Sequence, residues 1–177
     1  MMTRSKITIF CLLVLLIATA CSKPEQGAAP TPATSPTAQR ITSESVVQVA
    51  TQPVELSAGG SSEAVVRLTI QNGYHVNANP PTFPYLKATT LEIPAAEGVT
   101  AADVTYPKAI EKQFAFAPDK PLAIYEGEVE LKATLKADKT AKPNRRSLPA
   151  HLRIQACDDQ VCYPPGTLEL TIPVNIK

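Results

Sequence analysis

The sequence has no tryptophan, few aromatic residues of any kind (5%) and no excess of either charge. Lys and Arg number 17, Asp and Glu 16, so the net charge is +1. That balance leaves no electrostatic footprint for nucleic acid. No segment sustains a 3.6-residue apolar period, and 17 prolines argue against long helices. There is no internal repeat, no Gly-rich phosphate loop, no Ser-His-Asp arrangement and no pair of carboxylates set for acid–base work. The N-terminal apolar run, Ile7 to Ala20, falls short of the about 20 residues a transmembrane helix needs.

That run reads instead as an export signal. Arg4 and Lys6 precede it, and it closes on Ile17-Ala18-Thr19-Ala20-Cys21. Small residues before a cysteine resemble a bacterial lipobox, although Ala18 stands where Leu is usual. Residues 1–20 are therefore expected to be a lipoprotein signal peptide, with Cys21 as the lipidated residue. The alternative is an ordinary cleaved signal with a spare cysteine. Acyl chains together would make attachment to the membrane stable. Ser22, where an Asp often retains lipoproteins in the inner membrane, favours the outer one. Residues 21–40 are rich in Pro, Ala, Thr and Ser and hold no bulky apolar side chain. They are expected to form a disordered tether with a reach of roughly 60 Å.

From Ile41 the pattern changes. Ser45–Ala50 and Glu63–Ile70 are rich in β-branched residues, with Ala64, Val66, Leu68 and Ile70 on one face. Glu128–Lys136 places Val129, Leu131, Ala133 and Leu135 inward. Leu152, Ile154 and Ala156 continue the alternation, as do Leu168, Leu170 and Ile172. Val99–Tyr106 and Leu91–Ile93 are further strands, while Pro53, Pro94 and Pro107 mark edges or ends. About eight short strands over residues 41–177 predict a single all-β domain, an antiparallel sandwich.

Once Cys11 leaves with the signal and Cys21 takes a lipid, only Cys157 and Cys162 remain. An even pair suits an oxidising compartment. They lie between two strand-like runs, Leu148–Ala156 and Thr167–Ile176, so a hairpin end would bring the sulfurs within reach. The geometry asks for Cα atoms about 4.4–6.8 Å apart. Closing so short a loop is worth only about 2 kcal/mol. From spacing alone the pair is a turn clasp, a redox couple or part of a metal site. Asp158 and Asp159 read as solvated acids with turn chemistry, and Tyr163-Pro164-Pro165 as a stiff exit.

Three blocks read together: Asn72-Gly73-Tyr74-His75-Val76-Asn77-Ala78-Asn79-Pro80-Pro81; Val104–Pro107 with Ala123–Gly127; and Gln155-Ala156-Cys157-Asp158-Asp159-Gln160-Val161-Cys162-Tyr163-Pro164-Pro165. In this order they resemble the periplasmic N-terminal domain of the thiol:disulfide interchange protein DsbD, over essentially all of 41–177. The resemblance implies an immunoglobulin-like sandwich carrying a redox disulfide, a thiol:disulfide oxidoreductase with no cofactor and no metal. It implies electrons passed from a membrane thiol-reductant transporter to thioredoxin-like proteins. Cys162 would form the mixed disulfide with a partner, and Cys157 would resolve it. It also implies a cap loop shielding the disulfide. Glu111–Phe116 matches that loop, with Phe114 as the cap ring and Phe116 the alternative. His75, Asn77 and Tyr163 would line the site.

The sequence also departs from that family. Lys112 and Gln113 stand where acidic residues precede the cap aromatic, and His75 and Asn77 where tyrosines line the site. His75 could then accept a proton locally or be a hydrogen-bonded structural residue. The chain reaches Lys177 without an electron-carrying membrane segment, so a separate membrane donor is expected. Two other readings compete with exchange. One is a non-enzymatic binding sandwich with a permanent disulfide. The other is a soft-metal site of Cys157, Cys162 and either His75 or His151.

Overall fold

The computed structural model describes residues 40–177. The predicted signal peptide, the lipidated Cys21 and all of the 21–40 tether except Arg40 lie outside the described residues. Short alternating runs make the strands: β1 Val47–Thr51, β2 Val54–Leu56, β3 Ser61–Ile70, β4 His75–Asn77, β5 Thr90–Glu92 and β6 Val99–Thr105. They continue as β7 Ile110–Phe114, β8 Ala117–Tyr125, β9 Glu128–Ala137, β10 Asn144–Ile154, β11 Ala156–Cys157 and β12 Gly166–Ile176. One 3-10 turn, Glu44–Val46, takes Ser45 and Val46 from the strand expected over Ser45–Ala50.

These strands form three four-stranded sheets in the orders β1-β3-β9-β6, β2-β12-β10-β5 and β11-β4-β8-β7. The first two pack their apolar faces into one aliphatic core. In the first sheet, β3 and β9 register Ala64 against Ala133 and Val66 against Leu131, all fully buried. The second contributes Leu148, Ala150, Leu152 and Ile154 of β10, with Ile172, Val174 and Ile176 of β12. Leu168 and Leu170, expected inward, are only half-buried, because the core lies under the later part of β12. The fold is the all-β sandwich that the alternation predicts, of the immunoglobulin-like kind that the resemblance implies, with one departure from antiparallel pairing. β2 runs parallel to β12, Val54 opposite Val174.

Four strands escape the sequence reading: β2, β4, β7 and β8. The last three, with β11, make the third sheet. Pro118 and Pro121 sit in β8 where its register with β7 shifts, and neither is in a registered pair with β7 or β4. β4 is buried on both faces and shows no alternation. Gly127, at φ 68°, turns β8 into β9.

Candidate functional site

The third sheet has two buried faces. Val76, Ala156 and Tyr125 point into the main core. Residues one step along the same strands point the other way. There Leu122, Ile124 and Phe114 join Leu86 in a second, smaller core, and Cys162 packs against it beside Phe83 and Ala117. Period-two alternation thus puts the sandwich's filling on one side of this sheet and the site on the other.

Cys157 and Cys162 are joined in a disulfide, and their backbones face each other in an isolated antiparallel bridge. Their Cα atoms are 3.9 Å apart, closer than the range expected from sequence, because the two residues oppose each other directly across a tight turn. Asp158 N–H donates to Val161 O, and Tyr163 N–H donates to Ala156 O. The two sulfurs are not equivalent. Cys157 is 0% exposed, whereas Cys162 is half-buried at the surface.

Asp158 has the turn chemistry that the sequence suggests, and it is half-buried rather than fully solvated. Its Oδ1 accepts from the backbone N–H groups of Gln160 and Val161, and its Oδ2 from the Tyr163 hydroxyl at 2.6 Å. These donors, the Tyr163 hydroxyl foremost, hold its carboxyl below the usual carboxylate range. The same bond pushes the Tyr163 phenol up to about 12. Asp158 is therefore an ionised turn clamp whose charge opposes a nearby thiolate. Asp159 is exposed and stands 4.0 Å from Lys112 Nζ.

Below the turn, Gln155 works as a strut. Its Oε1 accepts from Asn77 Nδ2 at 3.1 Å and from Lys87 N–H at 2.8 Å, and its Nε2 donates to Tyr163 O. Ser43, fully buried, donates to Pro164 O and accepts from Ala156 N–H. Sequence reasoning gave neither residue a role. Gln155 stood inside the cysteine block but looked like any polar flank, and Ser43 lies 113 positions from Ala156 with no local signal.

The stretch Glu111–Phe116, expected as a cap loop, is instead nearly all of β7 and the turn into β8. Gln113 Nε2 donates to Ala117 O across the hairpin tip. Phe114 is buried on the second core, its ring stacked at 4.4 Å on His75 and at 5.3 Å on Phe116. Phe116 is exposed. With Tyr85, Leu86, Ala117, Leu122, Gln155, Gln160 and Val161 it lines a cavity of about 450 Å³ that ends on Cys162. Tyr85 and Val161 are exposed too, so the mouth is apolar.

His75 is 2% exposed, and its Nε2 has no hydrogen-bond partner. Burial, then the Lys112 ammonium, push its pKa down to about 4, against the opposing pull of Asp159, Glu126 and Asp158. The imidazole is neutral at pH 7. His151, the other histidine weighed as a ligand, pairs with Glu169 on the second sheet. Of the two, only His75 stands by the cysteines.

A disulfide with one sealed and one reachable sulfur, set on a small apolar core at one end of an immunoglobulin-like sandwich, defines a class of β-domain cystine proteins. Within it the chain belongs to the family of the thiol:disulfide interchange protein DsbD, N-terminal, which it matches over residues 32–173. No curated protein matches it. Among solved structures it is similar to the N-terminal periplasmic domain of ScsB from Proteus mirabilis. Identity is 16% over 71% of this chain and 44% of that one, with a TM-score of 0.49. It is also similar to a structure of the complex between the DsbD N-terminal and PilB N-terminal domains from Neisseria meningitidis. There identity is 19% over 75% of this chain and 87% of that one, with a TM-score of 0.46. The chain spans less than half the length of the ScsB chain.

Proposed function

We propose that this protein is an extracytoplasmic thiol–disulfide exchange module. It carries electrons from a membrane thiol-reductant transporter to thioredoxin-like proteins. In the dithiol form, the Cys162 thiolate attacks a partner's disulfide and one partner sulfur leaves. The Cys157 thiolate then attacks Cys162, freeing the second partner sulfur and closing the Cys157–Cys162 bond. Two electrons reach the partner, and the transporter restores the dithiol.

The observation that carries this reading is the unequal burial of the two sulfurs. A visitor can meet Cys162 at the end of an apolar groove, while Cys157 is held behind it. Family membership supplies the chemistry that spacing alone left open. Phe114 and Phe116 roof the pair, His75 and Asn77 floor it, and Tyr163 fixes the exit of the turn. In the same reading residues 1–20 are a signal peptide, Cys21 bears lipid in the outer membrane, 21–40 are the tether and 41–177 the working domain.

The test is a mixed-disulfide trap. A Cys157→Ser variant, reduced and mixed with an oxidised thioredoxin-like protein, is expected to hold that protein covalently through Cys162. Exchange that persists in Cys162→Ser would overturn the assignment. So would a reduction potential below about −300 mV, which marks a permanent disulfide.

A further inference from the structure

Cys157 and His75 face each other across the ladder between β11 and β4. Directly opposed residues of an antiparallel pair leave the sheet on the same side, with Cβ atoms about 4.5–5.5 Å apart. Both are sealed from solvent. His75 Nε2 is buried without a partner, although buried polar side chains nearly always have one. Stacking on Phe114 holds the ring, so packing rather than a hydrogen bond sets its orientation.

Opening the disulfide creates a thiol at Cys157 in this sealed place. Apolar burial keeps such a group protonated, yet only the thiolate attacks sulfur. We propose that His75 is the internal proton acceptor for Cys157 in the step that releases the partner, an inference that rests on the exchange reading above. With Cys162 joined to the partner, the Cys157 S–H proton passes to His75 Nε2. The Cys157 lone pair forms the bond to Cys162 Sγ. The bond from Cys162 to the partner breaks, and its electron pair leaves on the partner's sulfur as a thiolate. The imidazolium then returns its proton to that thiolate or to water. Cys157 and Cys162 end oxidised, and the partner ends reduced.

The charges around the ring come from three elements. Lys112 of β7 opposes an imidazolium, while Glu126 after β8 and Asp158 and Asp159 of the turn favour it. Burial outweighs them, so the resting ring is neutral and a weak base; a thiolate forming beside it at Cys157 is the opposite charge that raises its hold on the proton. A proton that moves within the pair leaves the number of bound protons unchanged. Its step is therefore flat with pH. Removal by solvent hydroxide would instead quicken about tenfold per pH unit.

The experiment treats the reduced protein with a dithio-bis-nitrobenzoate reagent, whose leaving thiolate is coloured. The first release reports attack by Cys162, the second attack by Cys157. The unmodified protein should show a second release nearly flat between pH 6 and 8. In His75→Phe and His75→Gln the second release should slow by about tenfold or more at pH 7 and gain a tenfold-per-unit slope. The first should stay within about twofold. A second release unchanged in either folded variant overturns the proposal. So does a tenfold-per-unit slope in the unmodified protein, which needs no variant at all. A first release that survives Cys162→Ser, or never occurs, sinks the exchange reading instead, and this proposal with it.

Discussion

The molecule holds two apolar cores back to back across the third sheet. The main core is long, aliphatic and lined by alternating strands whose residues are nearly all fully buried. The second is small and mixed: Leu86, Leu122, Ile124 and Phe114, with a sulfur and an imidazole packed among them. In the proposed function one stores stability and the other carries the reactive disulfide. A sulfur that must open needs neighbours that exclude water without locking it. A cluster at the domain's edge, roofed by a hairpin tip, can do that where the sandwich interior cannot.

The division can be broken most sharply at Cys162. Cys162→Ser should abolish exchange with a thioredoxin-like protein, measured by partner thiol release. It should cost the fold no more than about 2 kcal/mol by urea unfolding, since the loop it closes is so short. Leu152→Ala, in the main core, should do the reverse. A loss of about 3–5 kcal/mol is expected, with exchange per folded molecule within about twofold.

The upper part of the acid limb of stability probes the second core through His75. His75 has its pKa depressed from 6.5 to about 4 in the folded state. Between those values the unfolded chain binds the extra proton and the folded one does not, so stability falls as pH drops from about 6.5 to 4. The loss should be on the order of 2–3 kcal/mol, read from urea midpoints, and absent in His75→Phe. A loss of the same size in His75→Phe would assign it to other groups.

Phe114→Leu should cost about 1–2 kcal/mol and raise the rate at which a small thiol reduces the disulfide by severalfold, because the aromatic roof thins while the floor remains. Unchanged reduction would remove Phe114 from the roof. The smallest effect is expected at Tyr163→Phe. Losing one hydroxyl from an already twice-bonded Asp158 should shift stability by about 1 kcal/mol or less and leave the main core untouched.

The two cores also differ in how legible they were. β3, β9 and β10 face the interior on one side and water on the other, so their residues alternate and the sandwich could be read directly. The strands of the second core hide the signal. β4 is buried on both faces, β7 is almost wholly exposed until Phe114, and β8 carries two prolines. The stretch at Glu111–Phe116 was expected as a loop from the resemblance, and no alternation argued against it. The turn chemistry of Asp158 was legible, but its bond from the Tyr163 hydroxyl was not, because that contact depends on how the turn folds back.

By itself the sequence determined the β class, the cysteine pair and the family, because alternation and a contiguous Q-A-C…C-Y-P-P block are local properties that survive without coordinates. Tertiary structure decided which sulfur is sealed, that His75 lies opposite it, and that Ser43 and Gln155 brace the turn. Those are facts about strand register and burial. They arise only when segments distant along the chain are packed together, and no spacing rule encodes them.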